Sequence, residues 1–191
     1  VILVDQFGQS PKADFPDKLK SLEELKADVE AEKAYYDSLT PPQFDEFGGL
    51  PGSGEKLGLT KTGFFHVEKK GDKWHLVDPA GNLFYALGVC VYSPVDDYTY
   101  IQGRESIYEW LPSPTGEFAT AFRTNEPSAF SFHLANQIRK YGKPFDNTEY
   151  QARMLDRLRK WGFNTVGPFS GPTSAVKEKN FAYVVTLPFG P

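Results

Sequence analysis

The sequence has few of the residues that disulfide-linked, metal-binding and nucleic-acid-binding proteins depend on. Its single cysteine, Cys90, excludes a disulfide within the chain, and its position in an apolar run predicts a buried structural thiol. Of only three histidines, His66 and His75 are expected as diagonal neighbours on a hairpin, and His133 stands alone, so we expect no metal site. The net charge of −4, with basic residues in mixed runs, argues against nucleic-acid binding.

Long hydrophobic runs are also missing. No stretch approaches the roughly 18 apolar residues of a membrane span, so no span is expected. The glycines between 48 and 54 lack the Lys-Ser/Thr and the strand-to-helix context of a phosphate loop, so no cofactor is expected. Val1-Ile-Leu-Val4 opens the chain without Met, a basic start or a cleavable run, which favours a segment that follows a preceding domain; the alternative is a mature N-terminus after processing.

The residues that are present describe a globular chain rich in rings. Hydrophobic residues make up 40% of the sequence, too many for a disordered chain. The 16 Phe, 10 Tyr and 3 Trp suit flat apolar faces that meet sugar rings, and they suit a well-packed core equally. An extracellular or periplasmic location is compatible with this composition.

The first 82 residues are predicted as a bridge made of a linker, a helix and a hairpin. Ser21 with Glu24 forms a capping box that starts a helix, which Thr40-Pro41-Pro42 ends. Alternation on either side of Gly71-Asp72 predicts a hairpin with four apolar side chains on one face: Phe65, Val67, Trp74 and Leu76.

Residues 83–191 read as the first βα units of a repeat. Three apolar stretches are predicted as parallel neighbouring strands: Leu83–Tyr92, Phe163–Gly167 and Phe181–Leu187. Residues 93–147 form a long insertion with short helices near 103–110 and 129–141, and Thr148 is expected to cap a helix that runs to Trp161. The repeat has barely begun at Pro191, so the fold class expected is α/β, within a larger βα-repeat enzyme.

Several motifs, in order along nearly the whole chain, resemble glycoside hydrolase family 50, the β-agarases. They are Val4-Asp-Gln-Phe-Gly-Gln9, Thr62-Gly-Phe-Phe-His-Val67, Lys73-Trp-His-Leu-Val-Asp-Pro79, Phe84-Tyr-Ala-Leu-Gly-Val89, Gly103-Arg-Glu105, Glu109-Trp-Leu-Pro112 and Trp161-Gly-Phe-Asn-Thr-Val-Gly167. The Gly-Phe-Asn-Thr-Val stretch alone is common to many βα barrels, so the ordered set carries the resemblance.

The resemblance implies a partial (β/α)8 TIM barrel, with the three predicted strands as its first three. Residues 5–82 would then bridge from an N-terminal carbohydrate-binding-like domain. Retaining barrel hydrolases of this kind use two glutamates, near the ends of strands four and seven, as acid/base and nucleophile. Both would fall after Pro191, so no catalytic residue is expected within the chain, and the chain alone is expected to be inactive.

Candidate substrate-binding residues follow from the rule that barrel enzymes bind ligands on the loops after their strands. The rule selects residues 92–100, 167–170 and 188–190, and within them a ring or polar group in Tyr92, Asp97, Phe169 and Ser170. The alternative, which is favoured for any single one of them, is a packing or loop-capping residue. Adjacent carboxylates in the chain, Asp96-Asp97 and Glu23-Glu24, point apart and cannot straddle a glycosidic bond.

The insertion adds three candidates. Arg104 offers a planar fork of donors that suits several hydroxyls or a carboxylate, and Glu105 follows it; the alternative is an ion pair at a helix start. Trp110 could be a sugar platform or, alternatively, a buried anchor for the insertion.

Asn164 lies outside the insertion and opens the second predicted strand, where it is expected to satisfy backbone groups.

The function expected is therefore that of part of a retaining hydrolase of β-linked, agarose-type galactan, with a polysaccharide or oligosaccharide as substrate and the remainder of the same enzyme as partner. The first alternative is a non-catalytic carbohydrate-binding or accessory module. Such a module should close its sheet within the chain, with Val184–Leu187 at an edge or in an antiparallel pair. An unrelated α/β enzyme with a cofactor is the third possibility, but the sequence carries no fingerprint for one.

Overall fold

The computed structural model describes residues 1–94, 97–125, 128–170 and 173–187. Asp96 and the predicted ligand loop at 188–190 lie outside the described residues. The α-helices are α1 (Leu22–Ser38), α2 (Ser53–Leu57), α3 (Phe132–Tyr141), α4 (Asn147–Lys160) and α5 (Ser174–Glu178). The strands are β1 (His66–Lys70), β2 (Lys73–Val77), β3 (Leu83–Phe84), β4 (Gly88–Val89), β5 (Thr99–Tyr100), β6 (Phe122–Arg123), β7 (Ala129–Phe130), β8 (Thr165–Val166) and β9 (Ala182–Tyr183).

The chain folds into two compact units, each made of two separate stretches of sequence. Val1–Asp37 packs with Pro94–Asp146, and Ser38–Ser93 packs with Asn147–Pro191. The N-terminal stretch therefore shares a core with the insertion, a division that cuts across the sequence-based boundary after residue 82.

The first unit packs α1 and α3 with a small antiparallel sheet in the order β5-β7-β6. Ser21 caps α1 as predicted, since its hydroxyl accepts from the Glu24 amide at 3.1 Å, but the Glu24 carboxylate reaches back to the Lys20 amide instead of that of Ser21. Lys140 on α3 holds α1 through Asp28 and Glu32, at 2.6 and 2.8 Å. The buried core is Ile101, Tyr108, Ala121, Phe130, Leu134 and Ala135.

The insertion is less helical than its sequence predicts. The expected helix near 103–110 is a single 3-10 turn at Glu105–Ile107, and a second 3-10 helix spans Gly116–Ala121. The helix expected from 129 begins at Phe132, because Ala129 and Phe130 form β7 and the Ser131 hydroxyl caps α3.

The second unit contains the predicted hairpin. β1 and β2 pair antiparallel with Val67 opposite Leu76, and β3 adds to β2 as a third strand. Val67, Trp74 and Leu76 therefore share one face, as expected, but Trp74 is 68% exposed and Val67 is exposed too. The pairing of Glu68 with His75 makes His66 and His75 diagonal neighbours on the opposite face.

The second sheet of this unit is parallel, in the order β4-β8-β9. The three predicted stretches are therefore neighbours that run the same way. The prediction of one strand over Leu83–Tyr92 is wrong, because this run splits into β3 in the hairpin sheet and β4 in the parallel sheet. Gly88 permits the β4–β8 approach, since a Cβ there would lie 2.2 Å from the Thr165 carbonyl oxygen.

The prediction of a buried thiol at Cys90 is also wrong, because this residue is exposed and lies just beyond β4.

Between β8 and β9 the chain passes through α5, which makes a βαβ unit, and α4 precedes β8. Thr148 lies inside α4 and not at its cap, because the helix begins at Asn147. The buried core of the unit is Tyr92, Leu155, Leu158, Val166, Ala175, Val176 and Phe181.

Candidate functional site

The loops after β4 and β8 are joined to each other by side-chain hydrogen bonds. The Val91 amide donates to the Ser170 hydroxyl at 2.9 Å, and the Tyr92 hydroxyl bonds the Thr173 hydroxyl at 2.7 Å. Since β4 and β8 run parallel, their carboxyl ends lie at the same edge of the sheet. We call this group of five residues (Val91, Tyr92, Phe169, Ser170 and Thr173) the C-terminal edge cluster.

Two residues of the C-terminal edge cluster hold a left-handed backbone. Val91 has a φ of 56° and Phe169 a φ of 68°. A β-branched or bulky side chain rarely adopts this conformation, which costs on the order of 1–2 kcal/mol. Backbone strain of this kind concentrates at ligand-binding and catalytic sites, so it marks this edge independently of the barrel rule.

Tyr92 supports the edge from inside. Its side chain is 4% exposed and packs in the core of the unit. Burial raises the pKa of its hydroxyl, while the hydrogen bond to Thr173 acts the other way. Thr173 in turn caps α5 by accepting from the Val176 amide, so Tyr92 links the loop after β4 to the start of α5.

Phe169 and Ser170 present the accessible groups of the edge. Phe169 is 76% exposed, which leaves its ring in solvent. The Ser170 hydroxyl accepts from Val91 and keeps its own proton for donation. A ring beside a hydroxyl is a combination that can stack on a sugar and orient one of its hydroxyl groups.

The described residues after the three parallel strands, at 90–94, 167–170 and 184–187, include no Asp, Glu or His. This edge can therefore bind and position, while an acid, base or nucleophile would have to come from elsewhere. Across the described part of the chain, no group of three or more His, Cys, Asp or Glu side chains could hold a metal ion.

The remaining predicted residues lie in the first unit. Asp97 is exposed. Arg104 is exposed and donates to the Tyr100 carbonyl, while the Glu105 carboxylate accepts from the Gly103 amide at 3.1 Å. Arg104 and Glu105 thus bond to neighbouring backbone groups. These bonds, and not the ion pair of the alternative prediction, hold the two side chains.

Trp110 is half-buried in aromatic surroundings. Its ring meets Phe118 edge-on at 5.3 Å and Phe130 at 6.0 Å between centroids. The Arg139 guanidinium lies 4.7 Å from the Trp110 ring and 4.7 Å from the Phe7 ring. These contacts favour the anchoring alternative for Trp110.

Asn164 behaves as its position predicted and satisfies backbone groups. Its amide donates to the Gly48 and Tyr85 carbonyls at 2.8 and 2.9 Å, and its oxygen accepts from the Leu87 amide at 2.9 Å. Sequence reasoning missed Thr173, although a threonine three residues before an apolar helix position is a recognisable cap signal.

Comparison with known proteins places the chain among agarases. It is 33% identical to β-agarase B of Vibrio sp. (strain JT0107) over 212 residues, which cover 95% of this chain and 22% of that protein. β-Agarase A of the same strain is 27% identical over 187 residues, which cover 89% of this chain and 18% of that protein. The chain thus spans about a fifth of the length of these curated relatives, and no protein-family model matches it.

Solved agarase structures share the fold. The crystal structure of an agarase, AgWH50C, matches 95% of this chain and 29% of its own, with a TM-score of 0.82 and 26% identity. The structure of PfGH50B matches 95% of this chain and 29% of its own, with a TM-score of 0.78 and 30% identity. In sequence and in fold, the chain therefore belongs to the β-agarases of glycoside hydrolase family 50, of which it matches one segment.

Proposed function

We propose that the chain is part of a longer retaining glycoside hydrolase that cleaves a β-linked galactan of the agarose type. The observation that carries the proposal is the parallel order β4-β8-β9, which brings a strained, ring-bearing loop pair to one edge. The names of its relatives supply the substrate class.

We further propose an extracellular or periplasmic location, since an enzyme meets intact polysaccharide outside the cytoplasm. Within the described residues no helix is both long and apolar enough to cross a membrane.

The proposal includes a finer fold, in which β4, β8 and β9 are the first three strands of a (β/α)8 barrel. Its support is apolar surface next to the sheet. Before the starts of β4 and β8, a cleft of about 350 Å³ is lined by residues that include Leu87 and Tyr85, whose ring is 80% exposed. Beside β9, a cleft of about 630 Å³ includes Phe181 and Val184. Further strands and helices would cover such surface in a closed barrel.

In the proposed mechanism this segment binds and positions the sugar. Phe169 would stack on a galactose ring, and Ser170 would donate to a ring hydroxyl. Tyr92 would fix the loop that carries them. In a retaining hydrolase one carboxylic acid protonates the leaving oxygen while a second carboxylate attacks the anomeric carbon. We propose that both belong to polypeptide outside this segment, and that no cofactor is needed.

The insertion in the first unit is proposed to carry sugar-binding groups of its own. Asp97, Arg104 and Glu105 are exposed polar groups of the kind that bind sugar hydroxyls. Trp110 would serve by holding Arg139 and the insertion together rather than by stacking on substrate.

The alternative, a non-catalytic carbohydrate-binding module, makes a different topological prediction. It requires the sheet to close within the chain, with Val184–Leu187 at an edge or in an antiparallel pair. In the structure β9 is the edge strand of the described sheet, which both readings allow, and residues 184–187 follow it outside any described strand. The parallel pairing of β9 with β8, in place of an antiparallel pair, favours the hydrolase.

The test compares the protein from its source with this chain on agarose. We expect the source protein to have an intact mass well above 21.5 kDa and to release neoagaro-oligosaccharides, whereas the chain alone releases none. Phe169→Ala in the source protein should raise KM, while Phe64→Ala, which removes an equally exposed ring in the same unit, should not. Release of oligosaccharides by these 191 residues alone would contradict the proposal.

A further inference from the structure

One buried and one half-buried carboxyl group, Asp78 and Asp45, join the turn at 78–82 to the loop at 42–50. Asp78 is 0% exposed, and its Oδ1 accepts from the Asn82 amide at 2.8 Å. Asp45 Oδ1 accepts from the Phe47 and Gly49 amides, both at 2.9 Å, and Asp45 Oδ2 accepts from the Asn82 side-chain amide at 2.8 Å. Each carboxyl therefore organises its own turn, and Asn82 bonds to both.

The two carboxyl groups also face each other, since a Cβ on Gly49 would lie within 3.0 Å of both Asp78 Oδ2 and Asp45 Oδ2. Asp78 Oδ2 is fully buried, and no donor N or O atom among the described residues bonds to it. The nearest acidic side chain that acts on the pKa of Asp78 is Asp45. Two carboxylates have only acceptors, so a hydrogen bond between them needs one proton.

No space for a larger occupant is left at this point. A Cβ on Gly49 would lie 2.0 Å from Asp78 Oδ2 and 3.0 Å from Asp45 Oδ2, so the glycine backbone closes directly over the pair. Among the described residues, no third Asp, Glu, His or Cys joins these two carboxyl groups as a possible metal ligand. A proton fits between the two carboxyl groups, whereas a coordinated cation needs more oxygen ligands and more room.

We propose that Asp78 carries a proton that it donates from Oδ2 to Asp45, and that this proton acts as a pH-sensitive latch between the two turns. The asymmetry of the donors decides which carboxyl is protonated. Asp45 accepts hydrogen bonds from three N–H donors, which favour its charged form, whereas Asp78 accepts one, from Asn82, beside a weaker effect of the Ala80 amide. When the proton leaves, two negative charges face each other under Gly49 and the turns separate.

The charges around the pair agree with this assignment. Arg159 on α4 faces Asp45, and its guanidinium lies 5.5 Å from the Phe44 ring and 4.2 Å from the Phe181 ring. Glu46 is exposed beside Asp45 in sequence, and Lys61 meets the turn at 78–82 through its backbone, at Gly81. One cation thus balances one carboxylate, and a second carboxylate would be unbalanced.

The titration follows from burial and pairing. Burial, and then the hydrogen bond with Asp45, raises the pKa of Asp78 to about 6. Burial acts on Asp45 in the same direction, but its hydrogen bonds from Asp78, Asn82 and the two amides lower the pKa of Asp45 overall. A raised folded-state pKa means that the stabilisation is complete below the unfolded value near 3.8 and is lost as the pH rises through about 6. The loss is on the order of a hundredfold in the folding equilibrium constant.

Opening of the latch reaches the parallel sheet through one bond. Gly48, next to the covering glycine, accepts from Asn164 directly before β8. Looser turns above pH 6 would therefore free the Gly48 carbonyl and the amides of Phe47 and Gly49. Faster amide hydrogen exchange at Phe47 and Gly49, beyond the ordinary pH dependence of exchange, is the expected local sign.

The experiment measures thermal unfolding of the wild-type chain and two variants from pH 5 to pH 8. Asp78→Asn replaces the titrating proton by a permanent N–H donor of the same shape, so its Tm advantage over the wild type should grow with pH and reach several degrees at pH 8. Asp72→Asn, in the exposed hairpin turn, is the matched control and should show no such growth.

A carboxyl-carbon NMR titration of the wild type gives a second readout if Asp78→Asn does not fold. It should assign to Asp78 a midpoint of about 6. A midpoint near the ordinary aspartate value, or a Tm advantage for Asp78→Asn that does not change with pH, would overturn the latch. So would a rise in Tm with added Ca²⁺ at pH 8 that Asp78→Asn abolishes, because the pair would then hold a cation.

Discussion

The hydroxyl of Tyr92 and the hydroxyl of Thr173 lie 2.7 Å apart, and this bond connects the loop after β4 to the first turn of α5. Tyr92 is otherwise surrounded by the apolar core of its unit. One polar bond at the end of a buried ring therefore fixes the position of two loops at the edge where we propose that sugar binds.

Tyr92→Phe keeps the buried ring and removes this bond. We expect a loss of about 1 kcal/mol in the free energy of unfolding, because the Thr173 hydroxyl loses a partner. A double-mutant cycle with Thr173→Val in urea unfolding measures the coupling. Strict additivity of the two variants would show that the bond contributes nothing.

Variants of Phe169 allow the effect of backbone strain on stability to be measured apart from the effect of the ring on sugar binding. Phe169→Gly removes the cost of a side chain at a φ of 68°, so we expect no loss of stability and a gain of up to about 1 kcal/mol. In the source protein the same variant should weaken binding of neoagaro-oligosaccharides at least as much as Phe169→Ala does. Isothermal titration measures the binding and urea unfolding the stability. Unchanged affinity in both variants would remove Phe169 from the binding surface.

Asn164 bonds to three backbone groups directly before β8, and its variants measure what these bonds contribute to stability. Asn164→Ala leaves the Gly48 and Tyr85 carbonyls and the Leu87 amide without their partner, and we expect a loss of about 3 kcal/mol or more. Asn164→Asp keeps the acceptor for Leu87 but turns a carboxylate toward two carbonyls, so it should be no better than alanine at pH 7. An aspartate variant as stable as the wild type would contradict this assignment.

Arg139 tests the anchor of the first unit. Its guanidinium donates to the Gln6 carbonyl at 2.8 Å and to the Gln6 side chain at 2.6 Å while it lies between the rings of Phe7 and Trp110. Arg139→Lys keeps the charge but loses the planar fork, so we expect a loss of about 1–2 kcal/mol in urea unfolding. Lys143→Arg, in the same unit, is the control, and equal stability of the two variants would contradict an anchoring role for Arg139.

The sequence predicts local structure well wherever one short stretch contains the whole signal. The hairpin is correct because alternation and the turn at Gly71, with its φ of 57°, lie within twelve residues. Asn164 is correct in role because a polar residue at the start of a buried strand has to meet backbone groups. The parallel order of the three stretches is also correct.

The errors arise where tertiary contacts decide. The apolar run 83–92 has no internal period, so nothing in it marks the point where β3 ends and β4 begins or shows that Cys90 is exposed. The Asp45–Asp78 pair joins residues that lie far apart in the sequence, and each reads separately as an ordinary turn aspartate. The exposed hairpin face shows that alternation predicts which side chains share a face, but not whether that face is covered.

Retention of configuration can be measured by following agarose hydrolysis by the source protein with proton NMR in the first minutes of reaction. We expect new reducing ends to appear first as the β-anomer and to mutarotate later, because a double displacement retains configuration. The α-anomer as first product, or no hydrolysis of agarose at all, would contradict the assignment of this chain to a retaining galactan hydrolase.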